Sequence, residues 1–170
     1  MALTIRTATV EDAIEMAYVH VRAWQSAYRG LLPDVHLDGL RAQERASRYS
    51  LAATGSKAPE TILAVDGGAI RGFASIGPSR DADVPAAGEL CALYIDPPHW
   101  QEGIGSLLMA HGYRRLRARG FEKAILWLLV GNERAERFYR NDGWTPDGSS
   151  RHEDVWGVDS HVIRFRRTLT

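Results

Sequence analysis

Cysteine is nearly absent from this chain. Cys91 stands alone among 170 residues, so an intrachain disulfide bond is excluded. Net charge is absent too, because 21 basic side chains balance 21 acidic ones. No basic run offers the electrostatic contact that nucleic acids require. No apolar stretch approaches the roughly 20 residues that span a bilayer. The segment Met1 to Thr7 lacks the basic and apolar regions of a signal peptide. We therefore expect a single domain, 1–170, in the cytoplasm, with no nucleic-acid or membrane partner.

Metal-ligand spacing is also missing. None of the six histidines lies at an interval typical of a metal site, and we expect no metal. The histidines are His20, His36, His99, His111, His152 and His161.

The most informative segment that is present runs from Asp96 to Met109. An apolar run ends there, a polar loop with Gly103 and Gly105 follows, and a helical pattern opens at once. A helix start offers unpaired N–H groups and the positive end of the helix dipole, which suit a phosphate, and glycines let the anion approach. A plain helix-opening turn is the alternative. A dinucleotide fingerprint is disfavoured, because Leu108 stands where its third glycine belongs.

Hydrophobic periodicity and turn residues predict an alternating order of strands and helices, which gives a mixed sheet with helices on both faces. We expect strands at Leu3–Ala8, Thr61–Val65, Ala69–Ile76, Glu89–Ile95 and Lys123–Val130. We expect one helix to begin at Thr9 and others at Val35–Ala53, Gly103–Arg119 and Asn132–Asn141. An exposed loop is expected at Gly77–Gly88, and two final strands are expected around a polar stretch at Asp147–Asp159.

Four segments together resemble the GNAT superfamily of acyl-CoA-dependent N-acetyltransferases. They are 4–12 (TIRTATVED), 89–97 (ELCALYIDP), 100–105 (WQEGIG) and 132–144 (NERAERFYRNDGW). The resemblance implies an α/β GNAT fold, whose mostly antiparallel mixed sheet is splayed between two parallel strands, with helices on both faces. It implies that acetyl-CoA is the co-substrate and that a primary amine of a small molecule or peptide attacks it directly in a ternary complex. A non-catalytic acyl-CoA-binding sensor or regulatory module is the alternative.

The resemblance also implies which residues contact the cofactor. They are Leu93, Tyr94, Ile95, Gln101, Glu102, Gly103, Ile104, Gly105, Ser106, Asn132, Ala135 and Phe138. Backbone N–H groups near Leu93 to Ile95 would polarise the thioester carbonyl. Two positions depart from the family pattern, because the loop usually begins with Gln or Arg where this chain has Trp100, and a further glycine is common where it has Gln101.

Two residues are candidates for acid–base chemistry. The resemblance implies that Tyr139 protonates the leaving thiolate, although the side chain could be only a core aromatic. Glu89 is a candidate general base, directly or through water, or else a strand-end carboxylate. Strict strand alternation would place Glu89, Cys91 and Leu93 on one face. We interpret Cys91 as a buried inert thiol.

The acceptor is open. Small amines, polyamines, aminoglycosides, amino acids and protein N-termini or lysines all fit. The family builds part of its acceptor wall where this chain has Trp24 and Tyr28, although two aromatics one turn apart could equally be core. Asp81 and Asp83 could attract a cationic acceptor. The alternative is that both residues simply lie in a solvated loop. A homodimer is possible by analogy, with the strand around Val162 to Phe165 as the candidate edge.

Overall fold

The computed structural model describes residues 2–170. Short 3₁₀ turns, Val10–Asp12 and Pro97–His99, lie before the first and fourth helices. In chain order the strands and α-helices are β1 (Thr4–Thr7), α1 (Ala13–Ala27), α2 (Asp34–Asp38), α3 (Ala42–Ala46), β2 (Glu60–Asp66), β3 (Ala69–Pro78), β4 (Gly88–Ile95), α4 (Ile104–Ala118), β5 (Lys123–Leu129), α5 (Glu133–Asn141), β6 (Thr145–Val155) and β7 (Val158–Thr168).

The seven strands of this region form one sheet in the order β1-β2-β3-β4-β5-β7-β6. The pair β4–β5 is parallel, and every other neighbouring pair of described strands is antiparallel. Gly67 and Gly68 join β2 to β3 with positive φ angles of 59° and 83°, a conformation that glycine adopts without strain. The predicted hairpin and the predicted mixed, mostly antiparallel sheet are both confirmed.

Helices cover both faces of the sheet because its strands place apolar side chains on both faces. On β2, Ile62 and Ala64 join Leu108 and Leu116 of α4 in one buried cluster. The intervening Leu63 joins Met16 of α1 in another. Leu108 and Met16 are both fully buried, and each such side chain stabilises the fold by about 1.5–3 kcal/mol. The site described below therefore sits on strands that are held from both sides.

Three expectations from the sequence are wrong. The predicted helix Val35–Ala53 is two short helices, because Gly39 closes α2 and Arg41 is extended (φ −120°, ψ 126°) before α3. The polar stretch Asp147–Asp159 lies within β6 and β7, whose turn is Trp156-Gly157. The range Val162 to Phe165 is not an edge, since it pairs with β5 on one side and β6 on the other.

Among residues 2–170, no helix has both the length and the apolar character needed to cross a membrane.

Candidate active site

The site is a gap between the two parallel strands. β4 and β5 pair only at Gly88–Ala124 and Glu89–Ile125, and beyond that point they separate. A cavity of about 510 Å³ opens in the gap. The edge of β4 that faces β5 is thus without a strand partner from Leu90 onward, which leaves backbone groups available to a ligand.

A β-bulge at Cys91 changes the direction of the side chains along β4. Ser75 of β3 pairs with Ala92 and Ile76 pairs with Leu90, so Cys91 is the extra residue. Leu90 and Leu93 consequently pack in the same cluster beneath α4, three positions apart. Strict alternation along β4 is therefore wrong, and the bulge accompanies the point where β4 and β5 part.

Most of the residues implied by the family resemblance line this one cavity. They are Tyr28, Leu93, Tyr94, Ile95, Gln101, Gly103, Ile104, Gly105, Ser106, Asn132, Ala135, Phe138 and Tyr139. Three predicted residues lie outside the lining. Glu102 is exposed and hydrogen-bonds with His99 at 3.0 Å, Trp24 packs edge-on against Tyr28, and Glu89 forms an ion pair with Arg80.

The glycine loop opens α4 at one end of the cavity. Gly103 is the N-cap residue with a φ of +82°, and Gln101 has a φ of +68°, which is uncommon for a residue with a side chain. The first N–H of α4 that bonds within the helix is that of Leu107, which donates to Gly103 O at 3.1 Å. The N–H groups of the preceding turn therefore have no intrahelical partner, as a phosphate site requires.

Close packing fixes this helix end against α5. A Cβ atom on Gly105 would lie 3.2 Å from Cζ of Phe138, tighter than an ordinary contact. Asn132 caps α5 by accepting a hydrogen bond from the N–H of Ala135 at 3.3 Å. Asn132 thus has the capping role that its position predicts, and its side chain also lines the cavity.

Tyr139 lies on α5, about two turns after the capping residue Asn132, and is 8% exposed. Burial raises its pKa well above the ordinary value, and the nearby Tyr94 and Tyr113 raise the pKa further. Its hydroxyl makes no hydrogen bond to another side chain among residues 2–170. A phenol in this setting stays protonated at neutral pH and can donate its proton only to a ligand or to water.

Glu89 is 2% exposed and is held by Arg80. Arg80 donates to Oε1 from Nη2 at 2.7 Å, and to Oε2 from its backbone N–H at 2.9 Å. The Glu89 carboxylate raises the pKa of Arg80 through these hydrogen bonds. Oε1 accepts one hydrogen bond and has a lone pair left for a water molecule.

Cys91 lines the cavity beside Glu89. Burial raises the pKa of its thiol to about 11, and the charge of Glu89 adds to this effect. A cysteine nucleophile needs a lowered pKa or a neighbouring base. The Cys91 thiol is therefore neutral and poorly suited to carry an acyl group.

The predicted acceptor wall is a cluster of aromatic rings that meet edge-on. Tyr28 lines the cavity, and its ring meets Trp24 edge-on with the ring centroids 4.8 Å apart. Trp156, from the β6–β7 turn, also packs against Trp24, with the ring centroids 4.9 Å apart. Burial raises the pKa of Tyr28 well above the ordinary value, with smaller effects from Tyr94 and Tyr139.

Sequence reasoning missed a buried ionic network next to the cavity. Arg164 is 5% exposed and contacts Asp81, Asp83 and Asp147 at 2.9, 2.7 and 2.6 Å. Asp81 also accepts a hydrogen bond at 2.9 Å from Nε1 of Trp127, which lines the cavity. The solvated-loop interpretation is wrong for Asp81, because this side chain is 9% exposed and fully engaged by partners.

Comparison with known sequences identifies the family. Residues 18–144 match the sequence profile described as the acetyltransferase (GNAT) family. The chain belongs to the GNAT family. It is accordingly an acyltransferase, as the four segments of the sequence predict.

Two relatives illustrate this membership. The chain is similar to the uncharacterized N-acetyltransferase YuaI of Bacillus subtilis, with 30% identity over 132 residues, which cover 76% of this chain and 73% of that protein. It is also similar to the probable N-acetyltransferase Rv2775 of Mycobacterium tuberculosis, with 26% identity over 166 residues, 96% of this chain and 92% of that one.

Solved structures show the same fold. The PaiA N-acetyltransferase of Thermoplasma acidophilum in complex with coenzyme A has a TM-score of 0.76 and 19% identity, with 99% of each chain covered. YncA of Salmonella typhimurium, a putative acetyltransferase with its cofactor acetyl-CoA, has a TM-score of 0.73 and 17% identity, covering 100% of this chain and 95% of that one. At these identities the likeness establishes the GNAT fold alone.

Proposed function

We propose that this protein transfers the acetyl group of acetyl-CoA to a primary amine of a small molecule or peptide, within a ternary complex. The observation that carries the proposal is the cavity between β4 and β5. The free N–H groups at the start of α4 lie along its lining, and so does the Tyr139 side chain. Two solved structures of the same fold hold coenzyme A or acetyl-CoA. In our proposal the pyrophosphate binds the loop from Gln101 to Ser106, and the thioester lies between the strands.

The reaction divides into addition and collapse. The neutral amine attacks the thioester carbonyl, and N–H groups along the unpaired edge of β4, near Leu93 to Ile95, hold the oxyanion that forms. Collapse of this intermediate breaks the C–S bond. Tyr139 gives its proton to the departing thiolate and is then reprotonated from water.

The amine must lose a proton before or during attack. We propose that water carries this proton to Oε1 of Glu89, the oxygen that accepts a single hydrogen bond from Arg80. We expect a smaller contribution from Glu89 than from Tyr139, because Arg80 already donates hydrogen bonds to both carboxylate oxygens. Direct attack fits the neutral thiol of Cys91, which offers no acyl-enzyme route.

Replacing Tyr139 with Phe tests the acid role. We expect kcat to fall by about 10²–10⁴-fold, because the thiolate must then leave without a proton donor, while the KM for acetyl-CoA stays nearly constant. Turnover is followed as release of free thiol with a panel of primary amines. Tyr49→Phe is the matched control, since Tyr49 is a partly buried tyrosine that hydrogen-bonds with His20 and does not line the cavity. An unchanged kcat in Tyr139→Phe would rule out this role.

A non-catalytic acyl-CoA-binding module is the second candidate. The ion pair of Glu89 with Arg80 favours it, because it leaves the cleft without an unpaired carboxylate base. Calorimetric binding of acetyl-CoA together with no thiol release from any amine in the panel would support this candidate over transfer.

A further inference from the structure

An arginine on α5 stacks on the residue that begins the glycine loop. The guanidinium carbon of Arg134 is 3.4 Å from the centre of the Trp100 ring, a close stacking distance. Both residues line the cavity. The indole of Trp100 is itself fixed, because its Nε1 donates to the carbonyl of Ile95 at 2.8 Å. The stack therefore holds the arginine in one orientation beside the start of α4.

Arg134 has no counter-ion among the described residues. Arg140, on the same helix, pairs with Glu136 at 2.9 Å. Within residues 2–170, no carboxylate lies within 4.0 Å of Arg134. Partial burial lowers its pKa, and no charged group offsets this cost. Arg137 also lines the cavity and is likewise without a carboxylate within 4.0 Å in the described part of the chain.

We infer that Arg134, held by Trp100, binds a phosphate of the acyl-CoA beside the loop N–H groups. This inference rests on the proposed function. A planar guanidinium that keeps its stacking face on the indole still presents N–H donors at its edge to phosphate oxygens.

The same arrangement assigns Trp100 a positioning role. It touches the arginine with its ring face and leaves the phosphate contact to Arg134. A residue with an aromatic face should therefore replace Trp100, whereas an aliphatic residue of similar bulk should not. A lysine should replace Arg134 poorly, because an ammonium group lacks the planar fork that both stacks and donates.

Calorimetric titration with CoA and with dephospho-CoA, which lacks the 3′-phosphate, tests the inference. We expect Arg134→Gln to weaken CoA binding about tenfold and to reduce its salt dependence, because one charge-assisted contact is lost. Arg134→Lys and Trp100→Leu should weaken binding in the same direction, and Trp100→Phe should retain most of the affinity. Arg114→Gln, on the exposed face of α4, removes the same charge outside the cavity and should bind like the wild type.

The two ligands show which phosphate is bound. Equal losses for CoA and dephospho-CoA in Arg134→Gln would place the contact on the pyrophosphate, and a loss for CoA alone would place it on the 3′-phosphate. Both results support the inference. A wild-type protein that binds CoA, with Arg134→Gln indistinguishable from Arg114→Gln, would overturn it and leave the proposed function standing. A folded wild-type protein that binds neither ligand would overturn the proposed function itself.

Discussion

Gly103 allows a sharp test of the phosphate loop. It caps α4 with a φ of +82°, and no atom lies within 4 Å of the place where a Cβ would stand. An alanine there meets no steric clash, so its only structural cost is the left-handed backbone, about 1 kcal/mol. Its methyl group would point into open space at the loop where the phosphate is proposed to bind. We expect Gly103→Ala to lose about 1 kcal/mol of unfolding free energy and to bind CoA about tenfold more weakly, which is about 1.4 kcal/mol.

The other end of α4 provides the matched control. Gly120 has a φ of +91° and also has no atom within 4 Å of an added Cβ. Gly120→Ala should therefore cost the same unfolding free energy, measured by urea denaturation, and leave CoA binding unchanged in calorimetry. If both variants lose similar stability and both bind CoA like the wild type, the loop does not hold the phosphate, and our reasoning about the α4 N-terminus is wrong.

Two further predictions concern stability. Arg164→Met should lower the unfolding free energy by about 3 kcal/mol, because it removes the cation that pairs with Asp147 and leaves the buried Asp81 carboxylate paired with Arg151 alone. A urea-denaturation loss under about 1 kcal/mol would contradict this. Arg6 donates to Asp12 and lowers the pKa of that carboxyl from 3.8 to about 2, so the pair stabilises the fold above about pH 4, and this contribution is lost as pH falls through about 2. Arg6→Gln should thus cost about 0.5 kcal/mol at pH 6 and almost nothing near pH 2, and a pH-independent difference in denaturation midpoints would refute the assignment.

Local signals in the sequence predict much of the fold. The two glycines after Asp66 predict the β2–β3 turn, and Asn132 predicts the start of α5 because its side chain caps that helix. The loop with Gly103 likewise predicts the start of α4, because glycine readily adopts the positive φ angle of this N-cap position. In each case the structure is decided by residues that are close in the chain.

Features that depend on distant residues were not predictable in this way. Arg164 meets Asp81 across 83 positions of the chain, and Trp100 meets Arg134 only because the loop and α5 flank the same gap. The bulge at Cys91 also has no local signal, since it reflects how β4 pairs with β3. The predicted helix over Val35–Ala53 failed because Gly39 closes α2 and Arg41 is extended before α3.

The position of β7 decides which strand lies at this edge of the sheet. β7 follows β6 in the chain yet lies between β6 and β5, and it pairs with β5 from Lys123 to Leu129. Without β7, the strongly apolar β5 would present a row of unpaired backbone groups, a ready template for another chain. With β7 in place the outer position passes to β6, whose charged side chains and proline-containing bulge between Pro146 and Ser150 make a poor template. The β6–β7 hairpin, whose Trp156 packs against α1, therefore also replaces an apolar sheet edge that could pair with another chain by a polar edge.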